Sequence, residues 1–421
     1  MGKRAGRLVE SRTIKRMTPA RTRWIGVVFA LLVILASCIG RYWLPEDPAL
    51  LLSRAQGAYR AREFDAAEAD LRQLARLRAP TPMDHMARAL VAREQGKDAL
   101  SDLALIPGDH ELSSQAHLLA GQIELERGRL LAAESHFQQA LMRDPSNVHA
   151  YRELAYIYNI QNRRPELDEQ MEALSERNAA GFELLLHWAK TRNGKWNSAR
   201  DCGALARYLT ADPDDRDTRL ALVDGLHNLG QVEQAAAVLE FLPDTDNEAR
   251  ARRALLALEA GDVERADRLL SGGPSGHPSL AKVRGLLALN RGNPRGAVAH
   301  LRIAFAARPY DLGVVSALGR ALRLVGDEAG ARPFLDTERR HTDLTPLIAQ
   351  ADTPTGPTDP KLPARLGAAC EAARRFAEAR GWYRLAIARD PLDADAQQAL
   401  FRLGLRDAAL ARMGAVQRRR P

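Results

Sequence analysis

The chain has 421 residues, a formal net charge of +8 and few aromatic side chains, 5% of the total. This length is ample for a large buried core. The abundance of Leu, Ala and Arg, with few β-branched runs after residue 44, favours an all-helical chain. The three cysteines, Cys38, Cys202 and Cys370, are far apart and form no CxxC pair, so the sequence implies no disulfide framework and no zinc site.

The positive charge is concentrated at the amino-terminal end. Residues 1–23 contain eight Lys and Arg residues against Glu10 alone, so they carry +7 and the other 398 residues together carry about +1. A surface that binds nucleic acid needs Lys and Arg along its length to neutralise phosphates. The nearly neutral remainder therefore indicates that nucleic acid is not the partner, and residues 1–23 are predicted to be a basic cytoplasmic tail.

The first predicted element is a transmembrane helix at residues 24–44, with the sequence WIGVVFALLVILASCIGRYWL. Arg41 is its one charged residue and lies near an end. A helix of 21 residues is about 31 Å long, close to the hydrocarbon thickness of a bilayer. Trp24 at one edge, and Tyr42 and Trp43 at the other, match the aromatic belt of a membrane span.

The charges that flank this segment predict its orientation. The basic cluster precedes it, and Pro45-Glu46-Asp47-Pro48 follows it. Because basic flanks stay in the cytoplasm, the rest of the chain is predicted to lie beyond a bacterial inner membrane, in the periplasm, behind a single-pass signal anchor.

Two alternatives to the signal anchor remain open. Leu35-Ala36-Ser37-Cys38 resembles the lipobox of bacterial lipoproteins, in which the cysteine is lipidated and the preceding peptide is removed. A cleaved, soluble form is the other alternative. Apolar and aromatic residues continue past Cys38 to Leu44, where lipoproteins usually have a polar tether, and this favours the uncleaved anchor.

Residues 114–147 show the clearest motif of the chain. Their small residues, aromatic residue and closing proline stand at fixed offsets: Ala120, Gly121, Gly128, Ala133, Phe137, Ala140 and Pro145. The spacing puts Ala133, Phe137 and Ala140 on one helix face, and the small residues let two helices approach closely. This segment resembles the tetratricopeptide repeat, a 34-residue helix-turn-helix unit.

The same template returns along most of the chain. The matching segments are 48–81, 82–113, 114–147, 148–181, 182–215, 216–246, 247–277, 278–311, 312–345 and 360–393. The closing proline is present in four of them, at Pro145, Pro213, Pro309 and Pro391. The resemblance implies an all-α fold: a right-handed α-solenoid of about ten repeats at residues 48–393, with a loop at 352–363 and a capping helix and tail at 394–421.

No catalytic motif stands out in the sequence. There is no GxxxxGK[ST], GxGxxG, HExxH or GxSxG, and the ten histidines are scattered. The sequence therefore predicts a protein that is not an enzyme and that has no metal or cofactor.

The stacked first helices of such repeats line a concave groove, to which positions two, five, nine and twelve of each unit contribute. By this register the candidate protein-binding residues are Arg152, Tyr156, Asn159, Lys190, Asn193, Lys282, Arg320 and Arg323. Their amides and cations suit peptide backbones and carboxylates. Chaperone-binding members of the family use a Lys/Asn carboxylate clamp, and its full set is not found in adjacent units here.

The resemblance implies a membrane-tethered scaffold or adaptor that binds other proteins or peptides at the bacterial envelope. One alternative is an accessory subunit of an envelope enzyme or of an export complex for polysaccharide or protein, with either kind of anchor. A second alternative is RNA binding by a related helical repeat, which the near-neutral repeats disfavour.

Overall fold

The computed structural model describes residues 47–192, 199–309 and 311–417 of the protein. In these ranges helices are joined by turns and short loops, without a β-strand. The all-α prediction is confirmed. The predicted transmembrane segment at 24–44 and Cys38 lie outside the described residues. Within the described ranges, none of the helices combines the length and the apolar character that crossing a membrane would take.

The helices are numbered here in chain order. Their bounds are α1 Pro48–Arg60, α2 Phe64–Leu77, α3 Pro82–Glu94, α4 Leu100–Leu103, α5 Ser113–Glu126, α6 Leu130–Arg143, α7 Val148–Ile160, α8 Arg164–Glu176, α9 Phe182–Arg192, α10 Ala199–Ala211, α11 Arg216–Asn228, α12 Val232–Leu239, α13 Asn247–Glu259, α14 Val263–Ser271, α15 Pro278–Asn290, α16 Pro294–Ala307, α17 Leu312–Val325, α18 Glu328–Ala351, α19 Leu362–Ala372, α20 Phe376–Arg389 and α21 Ala394–Gln417. A 3₁₀ turn at Gly356–Thr358 lies between α18 and α19. The chain divides into two compact units, residues 1–98 and residues 99–421.

The described part of the first unit contains α1, α2 and α3. Helix α1 begins at a proline, and the Asp47 side chain accepts a hydrogen bond from the Ala49 amide at 2.9 Å, which caps the helix. Leu51 of α1 packs with Leu71 and Leu74 of α2 in a small core. The three helices therefore bury one apolar face each.

The second unit is built mainly from helical hairpins. Helices α5, α7, α11, α13, α15, α17 and α19 each pack against the helix that follows in the chain. The motif at 114–147 explains this packing: Ala133, Phe137 and Ala140 are fully buried, and a Cβ atom on Gly121 would lie 2.5 Å from the Phe137 ring. Glycine at 121 therefore lets α5 and α6 touch, as the resemblance implies.

The helix ends follow from proline and glycine. The second helices of four units end two residues before Pro145, Pro213, Pro309 and Pro391, because proline disfavours helical backbone at the residue before it. Gly128 in the turn between α5 and α6 has a φ of +80°, a left-handed backbone conformation that glycine adopts without a Cβ clash.

Residues 182–215 depart from the hairpin pattern that the sequence predicts for them. Helix α9 packs on α7 and α8, and on α18 and α20 from the carboxy-terminal region, whereas α10 packs chiefly on α11. Residues 193–198, which lie outside the described residues, separate the two helices in the sequence. The reason for the difference is that the carboxy-terminal hairpin provides the apolar partner of α9.

The carboxy-terminal region returns to the middle of the second unit. The Phe182 ring meets the fully buried Trp382 ring edge-on, with centroids 5.5 Å apart. A Cβ on Gly381 would lie 2.6 Å from the Leu185 side chain. Lys190 and Asp352 form an ion pair at 2.8 Å. These contacts join α9 and α20 in one core with the central repeats.

Candidate functional site

An open groove lined by leucines and by a few polar side chains lies on the first helices of three consecutive hairpins, α13, α15 and α17. We call it the leucine groove, and it has a volume of about 520 Å³. Its lining residues are Leu255, Leu258, Glu259, Leu286, Leu289, Asn290, Arg320 and Leu324. The four leucines of α13 and α15 are half-buried and Leu324 is 63% exposed, so apolar surface faces solvent here.

The groove is a consequence of the repeat. Leu255 and Leu286 occupy position nine of their units, and Leu258 and Leu289 occupy position twelve. Because the first helices stack, equivalent positions stand side by side. Arg320 takes position nine in the next unit, so the apolar row ends in a guanidinium group.

The opposite end of the leucine groove is acidic. Glu259 Oε2 lies 2.5 Å from Nε2 of His227, which is at position twelve of the preceding unit. An acidic end and a basic end on one groove give it an electrostatic direction.

A partly buried polar network holds these first helices in place. Arg252 of α13 donates two hydrogen bonds to the Asp224 carboxylate of α11, both at 2.7 Å. Glu248 accepts from Arg252 at 2.9 Å, from Arg308 at 2.8 Å and from the Ser279 hydroxyl. Although burial raises the pKa of Glu248, the Arg308 and Arg252 charges outweigh it and lower the pKa to about 2. The network thus fixes the positions of α11, α13 and α15.

Three of the sequence-predicted groove residues lie near the leucine groove. Arg320 lines it and is exposed. Arg323 is exposed on the same helix. Lys282 of α15 forms an ion pair with Asp311 at 2.9 Å. The structure therefore leaves the Arg320 guanidinium open to a ligand, while the Lys282 ammonium has an internal partner.

The other predicted groove residues make contacts within the chain. Arg152 donates to the Ala179 carbonyl at 3.0 Å, and the Tyr156 and Tyr208 hydroxyls are 2.7 Å apart. Asn159 accepts from the Thr191 hydroxyl at 2.5 Å. Lys190, as described above, pairs with Asp352. Asn193 lies outside the described residues. A protein-binding role for these five residues stays a prediction.

Sequence reasoning missed the four leucines of the groove. The register of positions nine and twelve contains them, but the choice of amides and cations passed over apolar side chains. The signal that finds them is the repetition of Leu at both positions in two adjacent units, which a solvated helix face does not need.

The described residues offer no evident centre for covalent or metal chemistry. None of them forms a group of three or more His, Cys, Asp or Glu that could hold a metal ion. Cys202 and Cys370 are buried, and burial raises the pKa of both thiols, so neither is an activated nucleophile. The arrangement is suited to binding by shape and charge.

The hairpins and their stacked first helices define an α-solenoid of tetratricopeptide-like repeats. No model of a known protein family matches the chain. Cellulose synthase 1 operon protein C of Komagataeibacter xylinus is 27% identical over 192 residues, which are 44% of this chain and 14% of that protein. This chain thus spans a small part of that relative's length.

Two solved structures are also similar. The hetero-tetramer of Cut9 and Hcn1 from APC/C has a TM-score of 0.35 and 14% identity, over 85% of this chain and 76% of that chain. A tetratricopeptide repeat protein from Parabacteroides merdae ATCC 43184 has a TM-score of 0.31 and 14% identity, over 65% of this chain and 98% of that chain.

Proposed function

We propose that this protein is a non-enzymatic scaffold whose leucine groove binds a segment of another protein. The observation that carries the proposal is the row of half-buried leucines on adjacent first helices, Leu255, Leu258, Leu286 and Leu289. Binding is favourable when a partner removes the apolar side chains of a concave site from water, because this burial lowers the free energy of the complex.

The ends of the groove suggest the chemistry of the partner segment. A volume of about 520 Å³ holds a few apolar side chains, as when an amphipathic helix lies in a groove. Arg320 favours an acidic residue at one end of that segment. Glu259 favours a basic residue at the other end through its Oε1 atom, because its Oε2 atom already meets His227. The partner is therefore an amphipathic segment with charges of opposite sign at its two ends.

Affinity capture tests this proposal. Tagged full-length protein is cross-linked in native membranes, and the captured proteins are identified and then purified for direct binding. The variant Leu258→Glu/Leu289→Glu places two carboxylates in the groove, and Leu392→Glu is the matched control, because Leu392 is an exposed leucine on another surface. A partner that the groove variant loses and the control retains supports the proposal. A partner that binds the groove variant undiminished contradicts it.

The place of action that we propose is the bacterial envelope. The support is the apolar segment 24–44 with its basic flank, which predicts that the repeats are exported. In intact spheroplasts, added protease is expected to digest the repeats, and digestion only after lysis would overturn export. Labelling of the protein with a radioactive fatty acid in cells distinguishes the anchors: label that Cys38→Ser loses indicates the lipid anchor, and an unlabelled wild type indicates the signal anchor.

The alternative of an accessory subunit in an export complex has one specific support, the similarity to a cellulose synthase operon protein. An accessory subunit differs from a general adaptor because its partner is a component of the export complex. Recovery of a polysaccharide-synthesising enzyme or its export pore as the groove-dependent partner would favour this alternative.

A further inference from the structure

A second cavity lies where α9 meets the last repeats of the second unit. Its volume is about 640 Å³, and α16, α17, α18 and the turn between α19 and α20 contribute side chains to it. It shares no lining residue with the leucine groove. We call it the arginine cavity, and its basic lining residues are Arg192, Arg332, Arg340, Arg374, Arg375 and His341.

The charges in the arginine cavity are strongly unbalanced. Five guanidinium groups face it, and the one acidic lining residue, Asp336, already accepts a hydrogen bond from Arg339 outside the cavity at 2.9 Å. Arg192 pairs with the partly buried Asp168, and Arg375 pairs with the fully buried Glu378. Among the described residues, Arg332, Arg340 and Arg374 form no ion pair. Guanidinium groups that converge in this way repel one another until an anion joins them.

Two polar atoms of the cavity wall lack hydrogen-bond partners despite deep burial. Arg375 is 5% exposed, and its Nη1 has no partner among the described residues. The same is true of Nδ1 of His341, which is 8% exposed. Both residues line the cavity. Arg375 Nη1 is a donor, and His341 Nδ1 is a donor in its Nδ1–H tautomer, so both atoms can bind acceptor oxygens of a ligand in the cavity.

Arg374 sits at a backbone position that most hairpins give to glycine. Its φ is +60°, in the turn between α19 and α20, whereas Gly128, Gly292 and three more glycines hold the equivalent left-handed turns of this unit. Asn162 and, in the first unit, Arg62 are the other non-glycine residues in such hairpin turns among the described residues. A side chain at such a position strains the backbone. The guanidinium group is thus placed at the cavity at a cost in stability that glycine would avoid.

The rest of the wall is apolar. The Phe305 and Phe334 rings meet edge-on at 5.1 Å, and Pro309, Val315 and Pro333 complete this side. A site lined by several guanidinium groups and by aromatic rings suits a molecule with an anionic part and an apolar body.

We propose that the arginine cavity binds a small organic anion that carries at least two phosphate or carboxylate charges on an apolar body. The Arg332, Arg340 and Arg374 side chains meet its charges at the mouth, and Arg375 Nη1 and His341 Nδ1 meet it at the buried end. In the ligand-free site, burial and the charges of Arg375, Arg192 and Arg164 lower the pKa of His341 to about 4, so its imidazole is neutral at pH 7.

The site also has a structural consequence. Arg192 belongs to α9, whereas Arg340 and Arg375 belong to the carboxy-terminal region that returns to it. An anion held between them offsets their repulsion and favours the packing of α18–α20 on α9. Binding should therefore raise the melting temperature of the protein.

Titration of the full-length chain in detergent tests the proposal. The probes are inorganic pyrophosphate, citrate and adenosine diphosphate, each at constant ionic strength set with chloride, and the readouts are calorimetric binding and melting temperature. At least one probe is expected to bind saturably and to raise the melting temperature. Comparing the affinities of pyrophosphate and citrate shows whether the cavity prefers phosphate or carboxylate groups. Comparing adenosine diphosphate with pyrophosphate shows how much the apolar wall contributes to the affinity, because the nucleotide adds an organic body to the diphosphate.

Variants locate the binding. Arg332→Gln/Arg340→Gln and, separately, Arg374→Gly are expected to weaken the affinity about 10-fold or more, since each removes charge-assisted hydrogen bonds. Arg374→Gly also relieves the left-handed backbone, so its ligand-free form should melt no lower than the wild type. The control Arg302→Gln removes an exposed charge from α16 outside the cavity and should leave the affinity unchanged. Failure of all three probes to bind, or equal affinity in the cavity variants, overturns the proposal.

Discussion

Arg375 donates a hydrogen bond from Nη2 to the backbone carbonyl of Ala189, at 3.2 Å and across 186 residues of chain. The same guanidinium group pairs with the fully buried Glu378 at 2.6 Å. A solenoid usually connects each repeat only to its neighbours. Here the turn that opens α20 instead binds the end of α9, so the stability of the central repeats depends on the carboxy-terminal hairpin.

We expect Phe182 and Trp382 to be energetically coupled. Their rings meet edge-on at 5.5 Å, and such aromatic pairs contribute about 0.5–1.5 kcal/mol beyond their buried area. A double-mutant cycle of Phe182→Leu and Trp382→Leu, followed by urea unfolding, measures this coupling. The matched cycle pairs Phe182→Leu with Phe401→Leu, because Phe401 is exposed on α21, and should give a coupling close to zero. Equal coupling in both cycles would contradict the packing of α20 on α9.

Gly121→Ala is expected to destabilise the protein by about 1–3 kcal/mol, because the new Cβ would lie 2.5 Å from a Phe137 ring that is fully buried and has no room to move. Gly203→Ala is the matched control on helix α10. Nothing lies within 4 Å of its added Cβ, so it should stabilise by about 0.5–1 kcal/mol through helix propensity alone. Thermal unfolding of both variants gives the comparison, and a stabilising effect at Gly121 would be inconsistent with close packing of α5 and α6.

The hairpins could be predicted from the sequence because each depends on nearby residues. Gly121 and Phe137 belong to one repeat, and their spacing alone places them in contact. Four prolines likewise mark the ends of four helices. Local spacing, glycine turns and helix stops thus determine most of the second unit.

The return of α20 to α9 could not be predicted in the same way. Nothing in the repeat template relates Phe182 to Trp382, because their contact joins distant parts of the chain and does not recur from one repeat to the next. The same limit affected the candidate site. Tyr156 fits the groove register, but only the three-dimensional structure shows that its hydroxyl meets that of Tyr208.

Protonation of Glu248 is expected to lower the stability of the protein as the pH falls below 4.5, the ordinary pKa of this side chain. Its folded-state pKa of about 2 lies below the ordinary value of 4.5, so its stabilising contribution is present above pH 4.5 and is lost as the pH falls toward 2. The shift corresponds to about 3 kcal/mol as an order of magnitude. Urea unfolding at pH 5 and pH 3 should show a smaller loss of stability in Glu248→Gln than in the wild type. The exposed Glu240→Gln serves as the control and should behave like the wild type. An identical loss in all three proteins would contradict the role of the Arg252 and Arg308 pairing.

Protonation of His341 is expected to lower the stability of the protein in a higher pH range than protonation of Glu248 does. Its folded-state pKa of about 4 is below the ordinary value of 6.5, because burial and the charges of Arg375, Arg192 and Arg164 disfavour its protonated form. The unfolded chain therefore binds the proton first, and stability falls as the pH drops from about 6.5 to about 4. The variant His341→Phe should lose about 3 kcal/mol less stability over this pH range than the wild type. His149 is exposed, so the control His149→Phe should lose as much stability as the wild type.

The same titration connects His341 to the arginine cavity. An anion bound among the arginines offsets part of their charge and favours the imidazolium form, so it raises the pKa of His341. With a saturating probe, the wild type should lose less stability between pH 6.5 and pH 4.5 than it does without the probe. Protonation of the probe itself affects both proteins alike, so His341→Phe should gain less protection from the probe than the wild type, because it has no proton to gain at this position. Equal protection of both proteins by the anion would place the anion away from His341, since only a charge near the imidazole can change its protonation.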